Sequence, residues 1–487
     1  MVSSPSAGYR PLPQGPDAAE EPETAPHHLS ESLVVGTDAE QLEDVPVVLP
    51  PEEALDARVR WVYFMLGNAV LLPWNAMITA TPYFLARLEG SSLKSTFSSY
   101  LSATFTIANC GFLAHATITS KQSSRTVRVR HSTLWLALSL FLLTASTFVH
   151  MPPGLFFAFV ILNGILQSAA GSYLQASVVA VASLFGPLAM QAVMTGQAVV
   201  AVLISAVQLL SASASIHASA VSDGSAEEKS AFAFFGLSTL FLLATVGAHA
   251  WLVRLPVYQA VAVPFEQHSK LLVDATHRRE RSRSFSGEQL ELESTRLSRV
   301  FKLNLTYNVA VAYVFVVTLA VFPPITVSIT PVNKAIHPLV FSSIHFLVFN
   351  CGDYLGRYIC GFHRFVIWSA RRLLALSVLR TLFIPLFLMC NVTRSAALPP
   401  IPPVINSDWL FMLILFLFGL SNGYISSLCM MAAPSLEHNP RLKGRQDDVD
   451  TAATITGFSL VGGLAIGSIA SFAVRAAVCG GCNPFTE

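Results

Sequence analysis

Phe349–Phe362 reads FNCGDYLGRYICGF and sets an acid, Asp353, and a base, Arg357, four residues apart in an otherwise apolar run. On a helix that spacing stacks both side chains on one face, where they can pair. Unpaired charge in hydrocarbon is expensive, and ionisable residues of membrane helices usually face a bundle interior or a polar pathway. Asn350 and His345 lie one and two turns earlier on roughly the same side. The stretch is therefore a membrane helix with a polar face. Either its ion pair only locks two helices together, or it lines a route for a polar solute.

Working outward, composition supports the membrane setting. The chain has 487 residues, 53% of them hydrophobic and only 12% charged. Its mean hydropathy is +0.56. A soluble protein carries about a quarter charged residues, and many runs here exceed the ~20 apolar residues that cross a bilayer as helix. The chain is an all-α polytopic membrane protein. The formal net charge of +1 says little, because charges are segregated by loop. The start is acidic and has no apolar core, unlike a cleaved signal peptide, so insertion is expected to begin at the first span.

Residues 1–56 are rich in Pro, Ser, Ala and Glu and are expected to form a disordered acidic cytosolic tail. Within them Tyr9-Arg10-Pro11-Leu12 fits a tyrosine-based sorting signal, a pattern short enough to arise by chance. Eleven spans are expected near 61–84, 97–119, 132–150, 154–181, 187–212, 231–254, 303–328, 338–362, 373–392, 407–432 and 451–476. A polar linker at 255–302 divides them into a six-helix half, 57–254, and a five-helix half, 303–478. A short non-cytosolic tail, 479–487, follows. The linker carries RRERSRSFSGE, which is either a solvated charged loop or a phosphorylation segment at Ser282, Ser284 and Ser286.

Lysine and arginine counts orient the chain. With the N-terminus inside, short inner loops hold Lys121, Arg125, Arg128, Arg130, Arg364, Arg371, Arg372, Arg441, Lys443 and Arg445. Outer loops hold only Arg87, Lys94, Lys229, Lys334 and Arg394. An odd number of spans then places the C-terminus outside or in a lumen. Asn391-Val392-Thr393 becomes an outward glycosylation sequon close to the membrane, while Asn304-Leu305-Thr306 faces inward. Of seven cysteines, Cys110, Cys351, Cys360, Cys390 and Cys429 fall in or beside apolar segments as small packing residues. Cys479 and Cys482 could close a small loop if their end is lumenal. A metal site is not expected, since no second pair or nearby histidine completes one.

Inside the spans, Pro73 removes a backbone donor mid-helix and is expected to bend the first span next to Trp74 and Asn75. A Trp at mid-depth lies outside the usual interfacial belt. It either packs a kink or offers a stacking surface to a planar base, with Asn75 as hydrogen-bonding partner. Gln167, Gln175, Gln191 and Gln197 occupy the fourth and fifth spans, among small residues that let backbones approach closely. Each amide is either interhelical glue or a ligand for hydroxyls and base edges. Asp450, at the inner mouth, is either a gate or proton-coupling group, or a helix N-cap. No catalytic constellation and no phosphate loop emerges, so an enzyme and a nucleotide-driven pump are both disfavoured. Two helical halves around mid-depth polar residues are the layout of a secondary transporter.

Several stretches together resemble the equilibrative nucleoside transporter family: LLPWNAMITATPYF at 71–84, MTGQA at 194–198, DYLGR at 353–357, GYISSLCMMAAP at 423–434 and TAATITGFSLVGGLAIGS at 451–468. The resemblance covers residues 58–478, fits the division into six and five, and is somewhat closer to fungal than to animal members. It implies a major-facilitator-like fold with two halves around a central cavity. It also implies passive, alternating-access transport of purine and pyrimidine nucleosides, and of nucleobases in some members, with no cofactor. Its substrate contacts fall on Leu71, Trp74, Gln175, Asn350, Asp353 and Arg357, and Ile78 stands where members often have Met. QASVVA at 175–180 departs from the family's Gly-containing run. Plasma and vacuolar or lysosomal membranes both suit the chain, and the expected partners are the substrate and the bilayer, not nucleic acid. Other readings are a proton-coupled nucleoside carrier of an acidic organelle, a carrier of a different solute, and a receptor or scaffold on the same fold.

Overall fold

A computed structural model describes residues 55–94, 96–120, 124–217, 225–267, 287–392 and 403–478. The acidic tail, Tyr9, Cys479, Cys482, Ser282, Ser284 and Ser286 lie outside the described residues. The principal helices are α1 (Ala57–Thr79), α2 (Phe97–Ile118), α3 (Arg125–Ser146), α4 (Pro153–Leu184), α5 (Pro187–His217) and α6 (Ser225–Leu252). They continue with α7 (Leu305–Val321), α8 (Pro338–Ile359), α9 (Ala370–Leu379), α10 (Asp408–Ala432) and α11 (Val449–Val478). Each expected span overlaps one of them. Among the described residues eight are long and apolar enough to cross a membrane: α1, α2, α4, α5, α6, α7, α10 and α11. Of the other three, α3 and α8 carry charge and α9 is short, with 10 residues. Arg125, Arg128 and Arg130 open α3, Asp353 and Arg357 sit in α8, and α9 gives way at Arg380 to a tighter turn, Arg380–Leu382, then to a short helix, Phe383–Leu388.

Local chemistry sets the helix starts. Asp56 accepts from the Arg58 amide ahead of α1, Ser124 from the Val127 amide at α3, and Ser407 from the Leu410 amide at α10. Prolines at the first turns of α4 and α8 use positions where no amide donor is needed. Although Pro73 removes a donor, α1 remains one continuous helix through it, and the Asn75 amide donates to the Leu71 carbonyl at 2.9 Å. The stretch 255–302 is not a loop throughout: it is helical at 256–267 and again at Gly287–Leu303.

Small residues decide which helices lie closest. A Cβ on Gly352 or Gly356 of α8 would overlap the carbonyls of Phe416 and Leu420 on α10. One on Gly419 or Gly423 of α10 would overlap those of Phe349 and Asp353. Gly67 of α1 and Gly196 of α5 approach each other's helices in the same way. Such contacts bind membrane helices by van der Waals packing, where lipid offers no hydrophobic drive. α1–α6 form one half and α7–α11 the other. The halves meet where α5 lies along α8, and where α2 and α4 lie along α11.

The two ends of the bundle differ. One, here the basic end, carries Arg58, Arg60, Arg125, Arg128, Arg130, Arg364, Arg371, Arg372, Arg441, Lys443 and Arg445. Toward this end burial is unbroken along Ala176–Leu184 of α4, Ala189–Ala198 of α5, Ile425–Ala432 of α10 and Val449–Gly457 of α11. Toward the other end exposed and half-exposed positions recur on all four helices. The basic end is thus the sealed one.

Candidate functional site

α8 holds the central group. Its Asp353 and Arg357 share a face, and their side chains pair with Arg357 Nε donating to Asp353 Oδ2 at 2.8 Å. Asn422 of α10 donates from Nδ2 to Asp353 Oδ1 at 2.6 Å, a contact made possible by the close approach at Gly423. Arg357 also reaches the other half, donating from Nη1 to the Met194 carbonyl of α5 at 3.2 Å. Gln191 of α5 returns a bond from Nε2 to the Arg357 carbonyl at 3.1 Å, and its Oε1 accepts from Arg60 at 3.3 Å. Both members of the pair are only 6% exposed. The remaining nitrogen, Arg357 Nη2, makes no hydrogen bond among the described residues, yet it is not among the sealed atoms. The group therefore has one charged donor still to offer. Asn350, two turns before Arg357, makes a second tie between the halves through Ser205 Oγ at 2.6 Å and the Ala201 carbonyl at 3.4 Å.

The first-span group lies on α1, which packs against α4, α5 and α6 of its own half. Phe64, Leu71, Asn75 and Ile78 recur at helical spacing along the stripe these neighbours leave uncovered, and Ile78 is 41% exposed. Trp74 is half-buried, with one ring face already stacked on Phe105 of α2 at 4.0 Å between centroids. Only its other face can serve as a platform. Gln175 of α4 is half-buried and has no hydrogen bond among the described residues. One turn further on, Val179 lies against Gly457 of α11, so the glutamine sits on the side of α4 that faces the other half. The structure thus joins Asn350, Asp353 and Arg357 to α5. Leu71, Trp74, Asn75 and Ile78 lie together on α1 and Gln175 on α4, with no hydrogen bond from either helix to α8 among the described residues.

At the basic end a second ion pair joins the halves. Arg125, at the start of α3, pairs with Asp450 in the first turn of α11, and their side chains are 3% and 0% exposed. Asp450 lies inside the helix, so it does not serve as the N-cap; its carboxylate is directed at the other half. The guanidinium of Arg125 also lies 4.9 Å from the Phe265 ring centroid. Next to it, Glu266 accepts from the Thr126 amide at 2.9 Å and from Ser124 Oγ at 2.8 Å. Burial pushes the nearby Tyr258 hydroxyl up to about 12, so it stays neutral beside Thr126. From the helix Gly287–Leu303, Arg296 and Arg299 donate to Asp448 at 3.2 and 3.1 Å, tying that helix to the start of α11.

Two participants escape a search for paired motifs. Arg125 reads as one of several loop cations, because nothing in sequence separates it from its neighbours. Arg380, a lone arginine within SVLRTLFIPLF, was visible as a charge in a span but has no sequence partner. Asn391, described without the threonine of its sequon, donates to the Thr330 carbonyl at 3.1 Å.

The model of the nucleoside transporter family matches residues 161–476. Equilibrative nucleoside transporter 1 of Homo sapiens is 27% identical over 462 residues, covering 86% of this chain and 96% of the relative. Nucleoside transporter FUN26 of Saccharomyces cerevisiae is 28% identical over 444 residues, covering 84% and 82%. These identities place the chain nearer neither the animal nor the fungal relative. Among solved structures, the E. coli fucose:proton symporter FucP superposes with a TM-score of 0.55 at 13% identity, covering 87% of this chain and 92% of that one. The proton:xylose symporter XylE gives 0.52 at 11% identity, covering 88% and 91%. Both are major facilitator transporters, and at these identities they speak to the fold alone.

Proposed function

The chain belongs to the nucleoside transporter family, and we infer that it carries nucleosides across a membrane down their gradient by alternating access. A nucleoside is neutral, with a flat base and a polyhydroxyl sugar. Trp74 offers the ring face turned from Phe105 to the base, Gln175 its amide to a base edge, and Leu71 and Ile78 apolar flanks. Asn75 and Asn350 are the neutral hydrogen-bonding groups beside them. Asp353 accepts from sugar hydroxyls while Arg357 keeps the carboxylate paired, and Arg357 Nη2 donates to the substrate. The observation that carries this reading is the ion pair on α8 that crosses to the Met194 carbonyl and still has one nitrogen unused.

Purine and pyrimidine nucleosides both suit this arrangement. The positive-inside bias makes the basic end cytosolic, with the N-terminus on that side, in either a plasma or a vacuolar membrane. The conformation is then the one closed to the cytosol, and Arg125–Asp450 is the gate that must part when the halves rock. Uptake of radiolabelled uridine and adenosine by proteoliposomes tests this. Saturable, mutually competing uptake that a protonophore leaves unchanged is the expected result. Uptake that collapses with the proton gradient would favour the proton-coupled carrier, and tight binding without flux would favour a receptor.

A further inference from the structure

The interior of the second half holds another arginine that the ion pairs leave aside. Arg380, at the break in α9, is 1% exposed and forms no ion pair among the described residues. Its Nη1 donates to the Phe418 carbonyl at 3.0 Å and to Ser421 Oγ, and its guanidinium carbon lies 4.5 Å from the Phe418 ring centroid. Its Nε is buried without a partner. A buried cation so poorly compensated is costly, and the cost points to a use.

The remaining nitrogen shows what that use is. Arg380 Nη2 donates to Thr318 Oγ1 of α7 at 2.7 Å, and Thr318 Oγ1 lies 2.7 Å from Asn422 Oδ1. Asn422 Nδ2 in turn donates to Asp353 Oδ1 at 2.6 Å. The donor rules fix a direction along this chain. Guanidinium only donates, carboxylate only accepts, and the amide between them must show its nitrogen to Asp353 and its oxygen to Thr318. The threonine has one proton, and the Val314 carbonyl of its own helix competes for it at 2.7 Å. With Arg380 donating into the oxygen, the hydroxyl proton is turned away from the guanidinium and toward an acceptor. Without that donor the hydroxyl can rotate, and Asn422 loses the contact that keeps its oxygen facing away from Asp353.

We propose that Arg380 is a positioning residue of the substrate site: through Thr318 and Asn422 it fixes the orientation of the Asn422 amide, and so of the Asp353 carboxylate that meets the substrate. The inference rests on the nucleoside-carrier reading. Two arginines then serve one carboxylate, Arg357 directly on Oδ2 and Arg380 at two removes on Oδ1.

Uridine transport by purified protein in proteoliposomes tests it, with KM and the maximal rate per folded transporter measured separately. Thr318→Val keeps the side-chain shape and leaves Arg380 its bonds to Phe418 and Ser421, but cuts the relay. It is expected to raise KM roughly tenfold, the effect of one buried bond left unmade, while the maximal rate holds. Arg380→Lys, which can still donate to Thr318, is expected to retain a KM closer to wild type than Arg380→Gln does. Asn422→Ala combined with Thr318→Val is expected to be no worse than Asn422→Ala alone, because both interrupt one path. An unchanged KM in Thr318→Val, or losses that simply add, would overturn the role and leave Arg380 as a structural tie between α9 and α10. Absence of uridine uptake by the wild-type protein would instead bring down the carrier reading itself.

Discussion

Among the described residues two ion pairs are buried on both sides, and they differ in construction. Asp353 and Arg357 stand one turn apart on the same helix, so their separation survives any rigid movement of one half against the other. Arg125 and Asp450 are 325 residues apart and come from different halves, so their separation depends on how the two halves sit against each other. In the first pair the unused nitrogen, Arg357 Nη2, is not sealed, whereas in the second the unused nitrogen, Arg125 Nε, is buried. The second is capped by an aromatic ring and sealed from solvent. A charge pair within one element can serve as a fixed surface for a ligand, whereas one between elements can act as a latch.

The sharpest way to break this contrast is to delete one member of each pair. Breaking a buried pair leaves the other charge uncompensated, at a cost of ~3–5 kcal/mol. For Asp353→Ala and Arg357→Ala the cost is borne in every conformation, because the pair lies within one helix, and the proposed substrate contact goes with it, so uridine uptake is expected to be lost although the protein reaches the membrane. For Arg125→Ala and Asp450→Ala it falls on the closed basic end alone. There the expected outcome is a shift of population toward the cytosol-open form, read as increased labelling of a cysteine introduced at the buried position Ala453. Uptake is reduced but not abolished. Equal loss of uptake from all four substitutions, with no change in labelling, would erase the distinction.

Smaller effects sharpen it. Trp74→Ala removes the indole and is expected to raise the nucleoside KM by about tenfold, as loss of one stacked base does, with little change in thermal stability. Gly423→Ala drives a Cβ into the Asp353 carbonyl and forces α8 and α10 apart, at a cost of roughly 1–3 kcal/mol. It should lower the melting temperature and weaken uptake together, whereas Gly462→Ala, which meets nothing nearby, should do neither.

Much of this was legible in the sequence because membrane helices leave few choices. Hydropathy located the helices, and the four-residue spacing of Asp353 and Arg357 predicted their pairing before any contact was known. The small residues of α4 and α5 signalled close packing, though not which helix each would meet. What stayed hidden was long-range. Nothing adjacent to Arg125 names Asp450 as its partner, and nothing near Arg380 names Thr318 or Asn422, since each of these contacts is created only when the helices assemble. Trp74 shows the same limit in another form: its depth was readable, but the neighbour that occupies one of its faces, Phe105 on α2, was not. The helices within 255–302 were missed because a charged, polar stretch carries a weak apolar signal even where it packs on one side.

The most direct measurement is uridine uptake by two charge-swapped proteins in the same vesicles, D353R/R357D and R125D/D450R. Swapping the pair between the halves preserves attraction between the same two elements, so this variant is predicted to transport. Swapping the pair on α8 puts a carboxylate where the Met194 carbonyl needs a donor and a guanidinium where Asn422 offers one, so this variant is predicted to be inactive. Transport by D353R/R357D at the wild-type rate would contradict the account.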